Sequence, residues 1–99
     1  MANVRWREIT KNGQIIIEEI HKVVVHRFRM GDVEDPQLFA AEPIYKWQQT
    51  DGGKFVMQNA IDEPIFHTNL NPEMFGYDCI IVAELESKKL TEYLLRFNK

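Results

Sequence analysis

Residues 14–30 decide the fold of this chain, and they read QIIIEEIHKVVVHRFRM. Isoleucine and valine dominate the first part of this stretch, and β-branched side chains favour strands over helices. The stretch exceeds the usual strand length of about 5–6 residues, so we expect a bend or bulge near Glu18–His21. Period-two alternation beyond it predicts a buried face and a half-exposed face. The first carries Val24, His26, Phe28 and Met30, and the second carries Val23, Val25, Arg27 and Arg29.

The residues just before this stretch predict a β-hairpin. An alternating apolar and polar segment is followed by Asn12-Gly13. Asn-Gly between two apolar runs favours a two-residue type I′ turn, because both residues accept a positive φ. This turn sets two favourable cross-strand pairs, Ile9 with Ile16 and Arg7 with Glu18.

The middle of the chain predicts short helices. Asp35 is a suitable N-cap and Pro36 fits the first helical position. Further on, the pattern predicts helices over residues 43–50 and 53–60, with Asp51 capping the second. A hairpin turning at Asp51-Gly52-Gly53 is the alternative for residues 43–60, because paired glycines are typical of either structure.

The C-terminal third predicts a second hairpin. Asn71–Gly76 has the N-cap, Pro and exit Gly of one helical turn. The near-continuous apolar run in Tyr77–Glu86 predicts a central strand that is covered on both faces. After a polar turn at Ser87-Lys88-Lys89, Leu90–Phe97 is expected to return as the last strand, with Tyr93, Leu95 and Phe97 on one face.

These elements predict a single α+β domain over residues 1–99. We expect an antiparallel sheet of about five strands, built from the N- and C-terminal hairpins. One or two short helices from residues 36–60 cover one of its faces. A small, strongly bent β-barrel of the Sm type is the alternative fold.

Composition and charge exclude several classes of protein. The chain has 99 residues, a net charge of −3 and one cysteine, so it can form neither an intrachain disulfide nor a cysteine-based zinc knuckle. It shows no apolar run long enough for a membrane helix and no signal peptide at its start. We therefore expect a soluble, cytoplasmic protein. The sequence pI of about 5.6 argues against strong non-specific nucleic-acid binding.

The sequence shows no motif for catalysis, a metal or a cofactor. His21 and His26 lie five positions apart and would face opposite ways on a straight strand. Glu18 and Glu19 are adjacent and also diverge. Cys79 lies in the most apolar strand, where burial disfavours its thiolate. We expect no enzyme activity, no cofactor and no bound metal.

Charge is nevertheless unevenly distributed, because the ends of the chain are basic and residues 31–86 are acidic. This pattern suggests a basic face that contacts an acidic partner or a second copy. The candidate contact residues for a protein partner or a nucleic acid are Arg5, Arg7, Lys22, Arg27 and Arg29. Four aromatic residues near them could stack on bases: Trp6, Phe28, Tyr93 and Phe97.

Four segments of the chain carry a resemblance to a known group of proteins. They are Gly31–Pro36, Trp47–Thr50, Lys54–Met57 and Phe75–Tyr77 with the strand that follows. From about residue 20 onward, the chain resembles small proteins of marine contractile-tailed phages. The resemblance implies a phage-encoded protein made in the bacterial host cytoplasm, and it implies no particular activity.

The sequence favours a non-enzymatic interaction or structural accessory protein. A small nucleic-acid-binding module is the alternative function. Apolar residues on both faces of the terminal strands exceed what a domain of this size easily buries. We therefore expect a homodimer or a small closed ring, joined through residues 14–30 or through the last strand.

Overall fold

The structure is a computed structural model that describes residues 3–73 and 75–97. Its strands form one antiparallel sheet in the order β1-β2-β4-β3, with β1 and β3 at the edges. The α+β fold is confirmed, and the described residues form four strands rather than about five. In chain order the elements are β1 (Val4–Lys11), β2 (Gln14–Gly31), α1 (Pro36–Phe39), α2 (Ala41–Gln49), α3 (Asp51–Asn59), β3 (Ile65–Asn71), β4 (Gly76–Glu86) and α4 (Ser87–Phe97).

The N-terminal hairpin is confirmed in its turn and its register. Asn12 and Gly13 have φ angles of 53° and 76°, as a type I′ turn requires. β1 pairs with the first half of β2, and the predicted pairs Ile9 with Ile16 and Arg7 with Glu18 are both present.

The irregularity in β2 lies further along than predicted. The strand continues without a break through Glu18–His21, and its register against β4 shifts between Val24 and His26 instead. Val25 is the extra residue of this bulge, and it fills the core beside Trp47. Because the bulge inverts the alternation, the predicted faces are wrong for Val23, Val24 and Val25 and correct for the residues after them. Val24 shares a face with Arg27 and Arg29, whereas Val23 shares the other with His26, Phe28 and Met30.

The helical prediction for residues 43–60 is confirmed, and the hairpin alternative is wrong. α2 and α3 meet at Thr50, which caps α3 in place of the predicted Asp51. The Thr50 hydroxyl donates to the Trp47 carbonyl at 2.6 Å and accepts from the Gly53 amide at 3.0 Å. This corner needs glycine at 53, because a Cβ there would lie 1.9 Å from the Trp47 carbonyl oxygen.

Two predictions for the C-terminal third are wrong. Leu90–Phe97 belongs to helix α4, because its apolar residues also recur at helical spacing and pack on α3. The Phe97 ring lies 5.6 Å from the Phe55 ring of α3. The second hairpin is formed by β3 and β4, and the described residues of Asn71–Gly76 belong to its strand ends and turn rather than to a helical turn.

Apart from Ile20 and Val82, which are buried on the opposite face, the hydrophobic core lies between the helices and one face of the sheet. We call this the helix face. The predicted cover of one face by the helices of residues 36–60 is thereby confirmed. The core cluster consists of Val25, Trp47, Val56, Ile81 and Ala83.

Candidate interaction surfaces

The structure gathers the five predicted contact residues on the face opposite the helices. Residues paired across strands, and alternate residues along one strand, point to the same side of a sheet. Lys22 pairs with Glu84 and Arg27 pairs with Ile80, which places both cations on one side of β4. The pairs of β1 with β2 place the two arginines of β1 on this same side of the sheet. We call this the basic face, and it carries Arg5, Arg7, Lys22, Arg27 and Arg29.

Two arginines of the basic face are held by nearby carboxylates. Arg5 donates to both carboxylate oxygens of Glu84, at 2.6 and 3.2 Å. Arg7 lies 2.7 Å from the Glu18 carboxylate. The hydrogen bond from Arg5 lowers the pKa of the Glu84 carboxyl, so this pair stays charged in neutral solution.

Uncompensated positive charge therefore concentrates in the second half of β2. Among the described residues, Arg27 forms no ion pair. Arg29 contacts Asp78 at 3.2 Å, but this pair is exposed and contributes about 0–1 kcal/mol. Because a guanidinium has five N–H donors, both arginines can bind further carboxylates.

A groove of about 470 Å³ runs between the same half of β2 and helix α4. The Tyr93 hydroxyl crosses it and donates to the Val25 carbonyl at 3.0 Å, which gives the bulged residue a partner outside the ladder. Burial raises the pKa of the Tyr93 hydroxyl, so it remains a donor in neutral solution. The α4 wall of the groove is largely apolar and consists of Leu90, Tyr93, Leu94 and Phe97.

His26 lines this groove and stacks on Trp47, with ring centroids 5.9 Å apart. Burial lowers its pKa, because the charged imidazolium loses hydration there. The bulge also overturns the prediction that His21 and His26 face opposite ways. They pair with Leu85 and Ile81, which places both on the helix face.

We expect the free energy of unfolding to fall as the pH drops below 6.5, the ordinary pKa of histidine. Between that value and the lowered pKa of folded His26, the unfolded chain binds more protons than the folded chain, so acid favours unfolding. His26→Phe preserves the ring stack and removes this titration. Its stability should therefore fall less between about pH 7 and pH 5 in urea unfolding.

His67→Phe is the matched control, because this ring is exposed on the basic face. It should retain the pH slope of the parent chain. An unchanged slope in His26→Phe would contradict the assignment to His26. The carboxyls whose pKa is lowered, Glu42 and Glu84, lose their contribution only at pH below 4.5.

The side chains considered for catalysis and metal binding are dispersed. Burial raises the pKa of the Cys79 thiol, and this cysteine is 1% exposed, so its thiolate is disfavoured. Glu18 and Glu19 diverge as predicted, since they pair with Arg7 and Trp6 on opposite faces. Over residues 3–73 and 75–97, no three His, Cys, Asp or Glu side chains are grouped to hold a metal ion.

The first hairpin projects from the core as an arm. We call residues 4–19 the hairpin arm, and none of them is buried. Its face that continues the helix face carries three large apolar side chains in the open. Trp6 is 63% exposed, Ile15 is 70% exposed and Ile17 is 55% exposed.

Three of the four aromatic residues considered for base stacking are used in packing. Phe28 stacks on Phe66, with ring centroids 5.8 Å apart. Tyr93 and Phe97 pack against each other and against Phe55. Trp6 is the exception, since it is exposed on the hairpin arm.

No protein-family model, curated protein or solved structure matches the chain. Of the helices in the described residues, none is long and apolar enough to cross a membrane. The surfaces above therefore supply the argument for function.

Proposed function

We propose that this protein is a non-enzymatic interaction or structural accessory protein that associates with a second copy of itself through the hairpin arm. The observation that carries this proposal is the absence of any buried residue from 4 to 19, although the segment holds exposed tryptophan and isoleucine. The arm overlaps the residues 14–30 predicted for self-association at residues 14–19, and its β1 strand lies outside that prediction. The other predicted site, a last strand, is replaced by helix α4.

The energetics of the arm support a partner. A two-stranded ribbon is marginally stable by itself in water and needs a further strand or a packed face. Trp6 and Ile17 would each bring about 1.5–3 kcal/mol if an opposing surface removed them from water. A standard interface uses about 20–30 residues per partner, so the arm would supply part of such an interface.

The shape of the molecule also supports this proposal. The structure measures 53 × 28 × 25 Å, and its radius of gyration is 15.9 Å. A compact domain of this length has a radius of gyration of about 13 Å. The difference reflects an arm that projects beyond the core and can reach a second molecule.

The phage-encoded origin and the host cytoplasm remain predictions from the resemblance of the sequence. An accessory role in a phage particle would suit a small chain with a projecting arm, because such assemblies are built from repeated contacts between copies. This part of the proposal concerns the setting and is independent of the arm contact itself.

Light scattering at tens of micromolar protein tests the arm contact. The parent chain should show about twice the 11.7 kDa of one copy. The double variant Trp6→Ser/Ile17→Ser should show the mass of one copy, because it removes the exposed apolar pair from the arm.

Leu38→Ser/Phe39→Ser is the matched control. These residues of α1 are exposed to 67% and 57%, close to the exposures of Trp6 and Ile17. This control should keep the double mass. A parent chain that scatters as one copy, or an arm variant that stays double, would overturn the proposal.

A nucleic-acid-binding module is the second candidate, and one observation favours it. All five predicted basic residues share the basic face. Carboxylates compete for Arg5 and Arg7, which weakens a phosphate contact there. A gel shift at low salt that disappears steeply as salt rises would support this candidate. No shift at low salt would eliminate it.

A further inference from the structure

The second half of β2 has an open edge. β1 pairs with β2 as far as His21, and the Asn3 carbonyl then accepts the Lys22 amide at 2.7 Å. Beyond that point, β2 continues from Val23 to Gly31 with β4 on one side. Within residues 3–73 and 75–97, no strand pairs with its other side. We call this side the open edge.

Alternate residues along the open edge point their main-chain N–H and C=O groups outward, away from β4. Lys22 directs its amide outward, and main-chain groups alternate along a strand, so those of Val24 do the same. The bulge at Val25 shifts this alternation by one residue. The outward groups after it belong to Arg27 and Arg29. An added strand would find its donors and acceptors at these residues.

The two sides of the open edge differ in chemistry. On the helix face, the groove beside α4 offers apolar contacts, and Leu94 is 43% exposed there. On the basic face, Arg27 and Arg29 flank the edge, and Arg27 has no acidic partner among the described residues. An added strand turns alternate side chains to these two faces. Apolar side chains therefore fit one face and carboxylates fit the other.

This chemistry argues against a second copy at the open edge. Antiparallel pairing of two β2 edges would place Arg27 and Arg29 of one copy beside the same arginines of the other, and like charges in such positions repel. It also distinguishes the open edge from the hairpin arm, where exposed isoleucine and tryptophan dominate.

We propose that the open edge of β2 binds an extended segment of a partner protein in which acidic side chains alternate with apolar ones. The segment adds a strand beside Val23–Gly31. Its apolar side chains enter the groove along α4, and its carboxylates bind Arg27 and Arg29. Main-chain hydrogen bonds supply affinity, and the two kinds of side chain supply specificity. The inference deepens the proposed interaction function by naming the partner chemistry.

Two synthetic peptides test the proposal, one alternating valine with glutamate and one alternating valine with lysine. The glutamate peptide should bind in fluorescence anisotropy, and the lysine peptide should not. Arg27→Glu/Arg29→Glu should lower the affinity for the glutamate peptide by about tenfold or more and should raise the affinity for the lysine peptide. Lys46→Glu/Lys54→Glu makes the same change in net charge at exposed residues of α2 and α3, away from the open edge and the hairpin arm, and should retain the parent preference.

Leu94→Glu provides a second, independent variant, because it places a charge in the apolar groove. It should also lower the affinity for the glutamate peptide. Amide exchange should report protection at Val24, Arg27 and Arg29 when the peptide is bound. Circular dichroism confirms that each variant is folded.

Equal binding of both peptides, or no binding of either, would overturn the proposal. A single-stranded oligonucleotide that binds the parent chain and loses affinity in Arg27→Glu/Arg29→Glu, while the peptides do not bind, would overturn it in favour of a nucleic-acid contact. Failure here leaves the arm contact standing, because the mass of the arm variants is measured without peptide.

Discussion

Gly53→Ala should destabilise the protein by about 2–4 kcal/mol, the largest effect that we expect from a single methyl group. A Cβ at residue 53 would lie 1.9 Å from the Trp47 carbonyl oxygen and 2.7 Å from its carbon. Both atoms belong to the backbone of the corner between α2 and α3, so they cannot rotate away. The corner must open, and Trp47 and Val56 in the core move with it. Thermal unfolding should show a midpoint lower by about 10–20 °C.

Gly52→Ala is the matched control for this prediction. Its Cβ would meet the Phe97 ring at 3.6 Å, which is an ordinary contact. Alanine also restricts the unfolded chain more than glycine, so this variant should match the parent or exceed it by about 0.4–1 kcal/mol. Similar midpoints for Gly52→Ala and Gly53→Ala would contradict the claim that the corner between α2 and α3 has no room for a Cβ at residue 53.

Gly76→Ala should cost about 1–3 kcal/mol, the second-largest effect. Gly76 begins β4 directly opposite Gly31 at the end of β2. A Cβ at residue 76 would lie 2.3 Å from the Met30 carbonyl oxygen and 3.3 Å from the Gly31 Cα. The two strands must separate at this end. Urea unfolding should show a lower midpoint.

Gly31→Ala controls for the loss of glycine in the same pair of residues. A Cβ at residue 31 meets no atom within 4 Å. This variant should be neutral or slightly more stable than the parent. If Gly31→Ala and Gly76→Ala lowered the free energy of unfolding equally, the claim that only residue 76 lacks room for a Cβ would be disproved.

Local chemistry made the N-terminal hairpin predictable from the sequence. Asn12 and Gly13 accept positive φ angles, and this turn fixes the register of every pair behind it. Thr50 escaped prediction as the α3 cap because the neighbouring Asp51 is in general the better N-cap residue. The structure decides between them by the hydrogen bond from Gly53 to Thr50.

Long-range packing decides what the sequence left open. Tyr93, Leu95 and Phe97 alternate as in a strand, but Leu90, Tyr93, Leu94 and Phe97 also follow helical spacing. The segment is a helix because its Phe97 ring then packs on α3, against Phe55 and in the space beside Gly52. The groove beside α4 could not be predicted while this segment was interpreted as a strand.

The bulge and the ion pairs of the candidate site are also non-local. Val25 leaves the ladder because of how β2 pairs with β4, and no residue beside it in the sequence indicates this. The grouping of Arg27 and Arg29 followed from alternation alone. Their separation from Arg5, which Glu84 binds, required a contact between residues that lie far apart in the chain.

Amide hydrogen exchange of the hairpin arm as a function of protein concentration reports whether the arm binds a second copy. We expect the amides of residues 14–19 to exchange slowly at tens of micromolar protein and to exchange fast on dilution, as the second copy leaves and the ribbon frays. Amides of the core strand β4 should exchange slowly at both concentrations. Fast exchange of the arm that does not change with concentration would contradict the claim that the arm binds a second copy.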